Sequence, residues 1–307
     1  MPPAALTLMR DGPALQPAAL RTAVEARLAA LVPDADGSDA VTSRLQLAPA
    51  MRYALLAPGK RMRPVLVLLI AQAAGRRPAD VMDVACAVEM VHTASLVLDD
   101  LPCMDDAGLR RGLPTTHRRY GEAVAILAAI SLLSRAFELV ARSETLDAAA
   151  RSAICAVLGR AVGFEGLSAG QEIDLTGGSA LDLAAVSRSH GLKTGALFAG
   201  AVEAAGLAAR VDGSDMAALA RFSHHLGLAF QALDDLIDLA DEAHAGKSTA
   251  RDGERPSIVT LFGEDEAHAQ FAARMGDARA ALARTGFDSS PVRDYVDAML
   301  RDTPASA

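Results

Sequence analysis

The sequence contains no tryptophan, and aromatic residues make up only 4% of its 307 residues. Because β-sandwiches and β-barrels are rich in aromatic and β-branched residues, this scarcity argues against both. The chain is nevertheless 51% hydrophobic, and alanine, leucine and valine dominate. That is enough apolar material for a large core, which excludes wholesale disorder and favours an all-α protein.

Cysteine is also scarce, since the chain has only Cys86, Cys103 and Cys155. They are odd in number, far apart in sequence and form no CxxC pair, so neither a disulfide framework nor a zinc site is expected. Acidic residues outnumber basic ones, and the net charge of −8 gives no general electrostatic reason to bind nucleic acid.

Long uninterrupted apolar runs are absent too. The longest, Pro64–Ile70 with flanking alanines, is broken by Gln72 and is too short to span a bilayer. The first residues lack the basic and apolar regions of a signal peptide. We therefore expect a cytoplasmic protein without stable membrane insertion.

Residues 1–15 are rich in proline and show no periodicity, which predicts a mobile leader. No linker divides residues 16–307, so we expect a single all-helical domain. Start signals include Asp80 and Ser214, and Gly75 and Gly206 are predicted stops. Helices are predicted near Pro17–Leu31, Ser43–Leu56, Pro64–Ala74, Ala79–Asp100, Tyr120–Arg142, Asp147–Leu167, Leu181–Gly206, Ser214–Glu242, Glu264–Ala283 and Pro291–Arg301.

Four carboxylates lie within eight residues, after an apolar helical run. They belong to Asp99, Asp100, Asp105 and Asp106. Like charges so close together are unfavourable unless solvent or cations neutralise them. A cation site would explain this cluster, and a solvated helix end is the alternative.

A second acidic cluster lies inside the apolar run 226–239. At helical spacing Asp234 and Asp238 share a face one turn apart, and Gln231 precedes them on it. Two oxygen-rich clusters favour a hard divalent cation. Magnesium uses only one or two carboxylates per ion and leaves positions for phosphate oxygens.

A phosphate substrate would also require basic residues near these clusters. A lone basic residue is usually a surface charge, but adjacency to the carboxylates favours phosphate binding for the set. His92 lies seven residues before Asp99 on the same helix face. The basic candidates are Lys60, Arg61 and Arg63 before a helix start at Pro64, Arg110 and Arg111 after the first cluster, Lys193 beside Thr194, and Lys247.

Four sequence blocks resemble the trans-prenyl diphosphate synthases (polyprenyl synthetases). Residues 87–122, AVEMVHTASLVLDDLPCMDDAGLRRGLPTTHRRYGE, resemble the family's first aspartate-rich region, and residues 230–246, FQALDDLIDLADEAHAG, resemble the second. GKRMRP at 59–64 and KTG at 193–195 are similar to two further blocks in the same order. The resemblance covers about residues 45 to 265 and is closest to bacterial geranylgeranyl diphosphate synthases of carotenoid pathways.

The resemblance implies an isoprenoid-synthase fold: about ten or more long helices in one bundle around a central cavity, in a homodimer. It also implies head-to-tail (1'-4) condensation of isopentenyl diphosphate with an allylic diphosphate (dimethylallyl, geranyl or farnesyl). The metal ligands would be Asp99, Asp100, Asp105, Asp234 and Asp238. They would hold two or three magnesium ions, with manganese as an alternative.

The same resemblance assigns the remaining site residues. Lys60, Arg63, His92 and Arg111 would bind isopentenyl diphosphate. Arg110, Lys193, Thr194, Gln231 and Lys247 would bind the allylic diphosphate. Catalysis would rest on Asp99, Asp105, Asp234, Lys193, Thr194 and Gln231. One departure follows Lys247, where Arg255 stands in place of the family's second lysine.

Small residues before the first cluster suggest a long product. Ala94 and Ser95 lie about 6 to 7.5 Å deeper along the helix than Asp99, at about 1.5 Å per residue. Family members that stop at fifteen carbons often carry an aromatic residue there, so we expect the twenty-carbon product, geranylgeranyl diphosphate. Close helix packing would also explain the two small residues.

Several alternatives stay open. Within the same chemistry, the enzyme could be a farnesyl diphosphate synthase or could extend beyond twenty carbons. A class I terpene cyclase usually replaces the second DDxxD with another metal motif and has an aromatic-lined pocket. A non-catalytic regulatory subunit typically loses one aspartate cluster, and this chain retains both.

Overall fold

A computed structural model describes residues 14–32, 45–176, 191–245, 259–260 and 263–301. Within these ranges, the side chains of residues 193–194, 234–235, 238–245 and 301 are not described. The protein is all-α, as its composition predicts, apart from one two-stranded hairpin in the described residues. The predicted leader falls almost wholly outside the described residues.

The elements follow one another in chain order. The first half contains α1 (Pro17–Leu31), α2 (Leu47–Leu55), α3 (Met62–Ala73), α4 (Pro78–Asp99), β1 (Leu109–Arg110), β2 (Leu113–Pro114), α5 (Thr116–Tyr120) and α6 (Glu122–Ala141). The second contains α7 (Ala148–Val162), α8 (Leu167–Thr176), a π-helical turn (Gly191–Gly195), α9 (Ala196–Ala209), α10 (Gly213–Ala245), α11 (Glu264–Leu282) and α12 (Ser290–Arg301).

One predicted helix is in fact two. The segment predicted as Asp147–Leu167 breaks after Val162, and α8 begins at Leu167. Gly166 explains the break, because a Cβ there would lie 2.2 Å from the carbonyl oxygen of Ala161. The backbone turns too tightly at this point for a side chain, and glycine alone permits such an approach.

Two of the predicted helix signals were wrong. Gly206 is not a stop, since α9 continues to Ala209. A Cβ at Gly206 would lie 2.7 Å from Cε of Met216, so this glycine lets α9 and α10 pack closely. Ser214 does not cap α10 either. The side chain of Asp212 accepts hydrogen bonds from the backbone of Asp215 and the hydroxyl of Ser214.

The chain divides into two compact units. The first comprises Met1–Leu158 and Leu207–Ala209, and the second comprises Gly159–Gly206 and Arg210–Ala307. The single-domain organisation expected from the sequence stays a prediction.

The core of the first unit is built on α3 and α4. Both helices are apolar on nearly every face, which is typical of helices buried on all sides. α4 packs against α3 and α6, while α1 and α2 cover its remaining faces. α4 therefore carries Glu89, His92 and Asp99 through the middle of the unit.

The second unit is organised around the long helix α10, which packs against α11 and the π-helical turn. Gly195 and Gly227 face each other so closely that a Cβ on Gly227 would lie 3.0 Å from the α-carbon of Gly195. Phe198 stacks on Phe230 with ring centroids 4.7 Å apart. These contacts hold the π-helical turn against α10.

Three helical regions in the described part of the chain are long and apolar enough to cross a membrane by length and composition alone: Pro78–Asp99, Glu122–Ala141 and Ala148–Thr176. Burial accounts for the apolar character of the first, since 78% of its most apolar stretch lies inside the protein. The absence of a long uninterrupted apolar run therefore does not exclude spanning segments by length, and the lack of membrane insertion stays a prediction.

Candidate active site

The first aspartate cluster begins where α4 ends. Asp99 and Asp100 are both buried, and the chain then folds back so that the backbone N–H of Asp105 donates to the carbonyl oxygen of Asp99 at 2.9 Å. Asp105 and Asp106 are exposed. Since the carbonyl end of a helix is its negative end and the last turn of α4 holds no basic residue, the position favours a bound cation.

The hairpin after this cluster carries the two adjacent arginines. β1 and β2 pair with Arg110 opposite Leu113, and the turn residues Arg111 and Gly112 have φ values of 53° and 76°. Two left-handed residues in a two-residue loop are the signature of a type I′ hairpin. Gly112 adopts this conformation easily, whereas Arg111 is strained in it, as residues at functional sites often are.

The two arginines serve different parts of the site. Arg110 donates from Nε and Nη2 to Oδ1 of Asp100, at 2.9 and 2.5 Å. Arg111 instead lines a cavity of about 530 Å³ together with residues 59–63, the GKRMR segment. It also borders a smaller cavity of about 40 Å³ lined by Asp100 and Arg110. The hairpin thus joins the acidic and the basic halves of the site.

The larger cavity is basic, and residues from separate segments that were predicted to act together line this basic cavity. Lys60, Arg63, His92 and Arg111 all line it. Nη1 of Arg63 lies 3.4 Å from Nε2 of His92. Burial holds the pKa of His92 well below its usual 6.5, and the positive charges of Arg63 and Arg111 lower it further. His92 is therefore neutral at physiological pH.

The cavity also contains residues whose roles the sequence did not assign. Glu89 lines it and accepts a hydrogen bond from Nη1 of Arg61 at 2.8 Å, and both side chains are buried. Arg21 also lies on its wall. A single charged residue inside the apolar run 85–98 was the available signal for Glu89, since charged residues are rarely buried unless paired.

The base of the hairpin is fixed from two sides. The hydroxyl of Tyr53 on α2 donates to the carbonyl oxygen of Pro114 at 2.6 Å. Thr115 donates through its hydroxyl to the carbonyl oxygen of Ala107, and Nδ1 of the buried His117 lies 3.1 Å from the same hydroxyl. These bonds hold the positions of Arg110 and Arg111, and sequence spacing gave no sign of them.

The second unit contains further candidates, and for most of them only the backbone is described. Asp234 and Asp238 lie one turn apart within α10, and Gln231 precedes them and is buried. Lys193 and Thr194 belong to the π-helical turn, which takes the place of α-helix at residues 191–195 of the segment predicted as Leu181–Gly206. Residues 181–190 of that segment lie outside the described residues. Such turns are frequent at functional sites. Two further candidates, Lys247 and Arg255, lie outside the described residues.

The chain-length candidates lie deep in α4. Ala94 is fully buried, and the hydroxyl of Ser95 donates to the carbonyl oxygen of His92 at 2.8 Å. Neither residue lines the two cavities described above. Their proposed role as the wall of a product channel stays a prediction.

The carboxylates fit a hard divalent cation, because the available ligands are oxygen atoms only. Among the residues with described side chains, no group of three or more histidine, cysteine, aspartate or glutamate residues is assembled into a metal site. Asp234 and Asp238 have no described side chains, so the first cluster is the part of the proposed site whose geometry is known.

Comparisons with known proteins show which family this chain is similar to. The polyprenyl synthetase family profile matches residues 45–273. A geranylgeranyl diphosphate synthase from Pseudescherichia vulneris is 43% identical over 81% of this chain and 79% of its own. A farnesyl diphosphate synthase from Geobacillus stearothermophilus is 41% identical over 72% of this chain and 77% of its own.

A solved structure extends the likeness to nearly the full length. The crystal structure of an FPP/GFPP synthase from Zymomonas mobilis matches with a TM-score of 0.78 and 32% identity, covering 98% of this chain and 99% of that one. The predicted isoprenoid-synthase fold is therefore confirmed. With its aspartate cluster, its basic cavity and this match along most of its length, the chain belongs to the polyprenyl synthetase family.

Proposed function

We propose that this protein is a trans-prenyltransferase that condenses isopentenyl diphosphate with allylic diphosphates and releases geranylgeranyl diphosphate. The observation that carries the proposal is the cavity of about 530 Å³ lined by Lys60, Arg63, His92 and Arg111. Three cations from two separate segments converge there on a space large enough for a small diphosphate, and one of them, Arg111, also borders the smaller cavity lined by Asp100.

Isopentenyl diphosphate occupies this basic cavity in our proposal. Arginine binds phosphate oxygens through two parallel N–H groups, while lysine acts as a compact charge. The neutral His92 contributes a hydrogen bond without adding charge. Because the cavity adjoins Arg110 and Asp100 through Arg111, the bound homoallylic substrate would lie next to the acidic cluster.

In our proposal the allylic diphosphate binds beside the aspartate residues. The carboxylates of the two aspartate clusters would hold magnesium, whose positive charge would stabilise the pyrophosphate leaving group. They belong to Asp99, Asp100, Asp105, Asp234 and Asp238. Arg110, Lys193 and Lys247 add positive charge around the same group. Thr194 and Gln231 are polar but uncharged, which suits side chains that face a carbocation without trapping it as nucleophiles.

The reaction balances without a dedicated protein base. The allylic C–O bond breaks, the resulting allylic carbon bonds to C4 of isopentenyl diphosphate, and a proton is lost from that substrate. The released pyrophosphate takes the proton. The protein would therefore act through positioning and charge stabilisation.

The twenty-carbon product is favoured by the small residues Ala94 and Ser95 beneath the acidic cluster. The 43% identity to a geranylgeranyl diphosphate synthase from Pseudescherichia vulneris supports the same length. A farnesyl diphosphate synthase from Geobacillus stearothermophilus is almost as similar, so the fifteen-carbon product is the alternative.

A cytoplasmic homodimer is the expected assembly, and α6 offers a surface for it. Ile126, Leu127 and Ile130 lie on this helix and are 40%, 52% and 52% exposed. An exposed apolar patch of this kind marks an interface with protein or lipid. We expect light scattering to give twice the chain mass and Ile130→Glu to reduce it, with no binding to lipid vesicles by the wild type.

Radiolabelled isopentenyl diphosphate tests the enzymatic proposal directly. The purified chain should transfer label to each allylic diphosphate in the presence of magnesium. A chain that binds isopentenyl diphosphate but never consumes it would instead be a regulatory subunit. Cyclic hydrocarbons formed from an allylic diphosphate alone would identify a terpene cyclase.

A further inference from the structure

A deeply buried charge pair, formed by Arg61 and Glu89, lies at the basic cavity. Their side chains are 2% and 3% exposed, and Nη1 of Arg61 lies 2.8 Å from Oε1 of Glu89. Removing two charges from water is costly, and a buried pair breaks even only when its geometry and hydrogen bonding are good. A pair retained at this cost calls for a role beyond stability.

Arg61 is fixed at several points. Its Nη2 donates to the carbonyl oxygen of Ala57 at 2.7 Å, while Nη1 is held by Glu89. Its backbone has a φ of 51°, a left-handed conformation that is strained for a residue with a side chain. The side-chain bonds therefore hold the backbone of Arg61 in a conformation that it would not adopt alone.

This strained residue lies between two that face the substrate cavity. Lys60 precedes it, Arg63 follows two residues later, and α3 begins at Met62. A change in φ at Arg61 would redirect the chain at the start of the helix. The relative directions of Lys60 and Arg63 therefore depend on the conformation of Arg61.

Glu89 belongs to the same face of α4 as His92, three residues later. α4 thus touches the GKRMR segment twice: Glu89 holds Arg61, and Nε2 of His92 lies 3.4 Å from Nη1 of Arg63. The neighbouring carboxylate of Glu25 lies farther away, 3.8 Å from Nε of Arg61, and is 42% exposed. Glu89 is therefore the stronger anchor.

We propose that Glu89 is a positioning residue for isopentenyl diphosphate, acting through Arg61 to hold Lys60 and Arg63 toward the cavity. This inference rests on the proposed function of the cavity. Glu89 itself carries the same charge sign as the substrate, so it contributes by orienting the basic segment and not by contacting the diphosphate.

Glu89→Gln tests the proposal, because it keeps the shape of the side chain and removes its charge. We expect the KM for isopentenyl diphosphate to rise about tenfold or more, since hydrogen bonds to charged groups are the stronger ones. The kcat and the KM for the allylic diphosphate should stay within about threefold of wild type. Glu25→Gln, the matched control, should leave all three parameters within about twofold, since exposed pairs contribute little.

A second variant separates positioning from stability. Replacing a buried ion pair by apolar side chains of similar volume is often neutral for folding. Arg61→Met combined with Glu89→Met should therefore keep the melting temperature near that of wild type and still raise the KM for isopentenyl diphosphate. Failure of both Glu89→Gln and the double variant to fold would overturn the proposal, because the pair would then serve folding alone.

Parallel assays of the wild type distinguish a failure of the positioning role of Glu89 from a failure of the proposed function. Wild-type turnover with an unchanged KM for isopentenyl diphosphate in folded Glu89→Gln would overturn the positioning role and leave the proposed function intact. An equal rise in the KM values of both substrates in Glu89→Gln would also overturn the positioning role. Lack of any prenyl transfer by wild type would instead reject the proposed function.

Discussion

The guanidinium group of Arg111 lies against the α-carbon of Gly59, so closely that a Cβ at position 59 would come within 2.4 Å of Nη1. Gly59 belongs to the GKRMR segment and Arg111 to the turn of the hairpin, and both residues line the basic cavity. Glycine at position 59 thus makes room for a cation that we propose binds isopentenyl diphosphate.

Gly59→Ala should displace Arg111 and weaken isopentenyl diphosphate binding. The end of an arginine side chain can move, so we expect the protein to fold and the KM to rise by about tenfold, as for the loss of one charged hydrogen bond. Steady-state kinetics with varied isopentenyl diphosphate measures this. Gly108→Ala is the control, because a Cβ there meets nothing within 4 Å. Equal KM values in the two variants would contradict the packing argument.

Asp99 should be essential for turnover but not for folding. Asp99→Ala removes a carboxylate from the end of α4, and we expect activity to fall by orders of magnitude with an unchanged helical circular-dichroism spectrum. Excess chelator should abolish wild-type activity, and magnesium should restore it. Asp83→Asn, also on α4 but paired with Arg27 at 2.9 Å, should have little effect. Full activity in chelator would reject the metal requirement.

The partly buried His92 should make stability depend on pH. Because burial and Arg63 hold its folded-state pKa well below 6.5, only the unfolded chain takes up a proton there as the pH falls below that value. This contribution is therefore fully present above about pH 6.5 and is lost with a slope of up to about 1.4 kcal/mol per pH unit as the pH falls.

His92→Gln should remove this part of the pH dependence. Urea denaturation of wild type and variant at about pH 7.5 and about pH 5.5 measures it, since His92 titrates only in its unfolded form over this range. His268→Gln, on the exposed face of α11, serves as the control. The same loss of stability on acidification in wild type and His92→Gln would contradict the prediction.

Ala94→Tyr should shorten the product. The added ring would fill the space that the fourth isoprene unit needs, and a well-packed wall resists such a volume at a cost of about 1 to 3 kcal/mol. We expect the fifteen-carbon product to accumulate while the first condensations keep their rates. Val91→Phe, equally buried in α4 but deeper, should have a smaller effect. Mainly twenty-carbon product from Ala94→Tyr would show that α4 does not wall the channel.

Periodicity and local signals were sufficient for the long helices. α1 has the predicted bounds, and α4, α6, α10 and α11 each begin and end within three residues of prediction. The hairpin of β1 and β2 escaped prediction because two-residue strands are too short to show an alternating pattern. α5 was missed for the same reason, being only five residues long.

The basic cavity could be predicted in part. The cations were recognisable because they lie beside the aspartate clusters in sequence. The pairing of Arg61 with Glu89 was not, since the two are separated by 28 residues and meet only when α3 packs against α4. The prediction at Gly206 was wrong for a related reason. A glycine near a helix end predicts a stop, but this glycine is needed because Met216 of another helix occupies the space that a side chain would fill.

Chromatography of the dephosphorylated products is the most direct test of the central claim. The purified protein is incubated with magnesium, isopentenyl diphosphate and, in separate reactions, dimethylallyl, geranyl or farnesyl diphosphate. We predict geranylgeraniol as the main product from all three starters. Farnesol from the first two with no extension of farnesyl diphosphate would contradict the twenty-carbon assignment, and no extended product from any starter would contradict prenyl transfer itself.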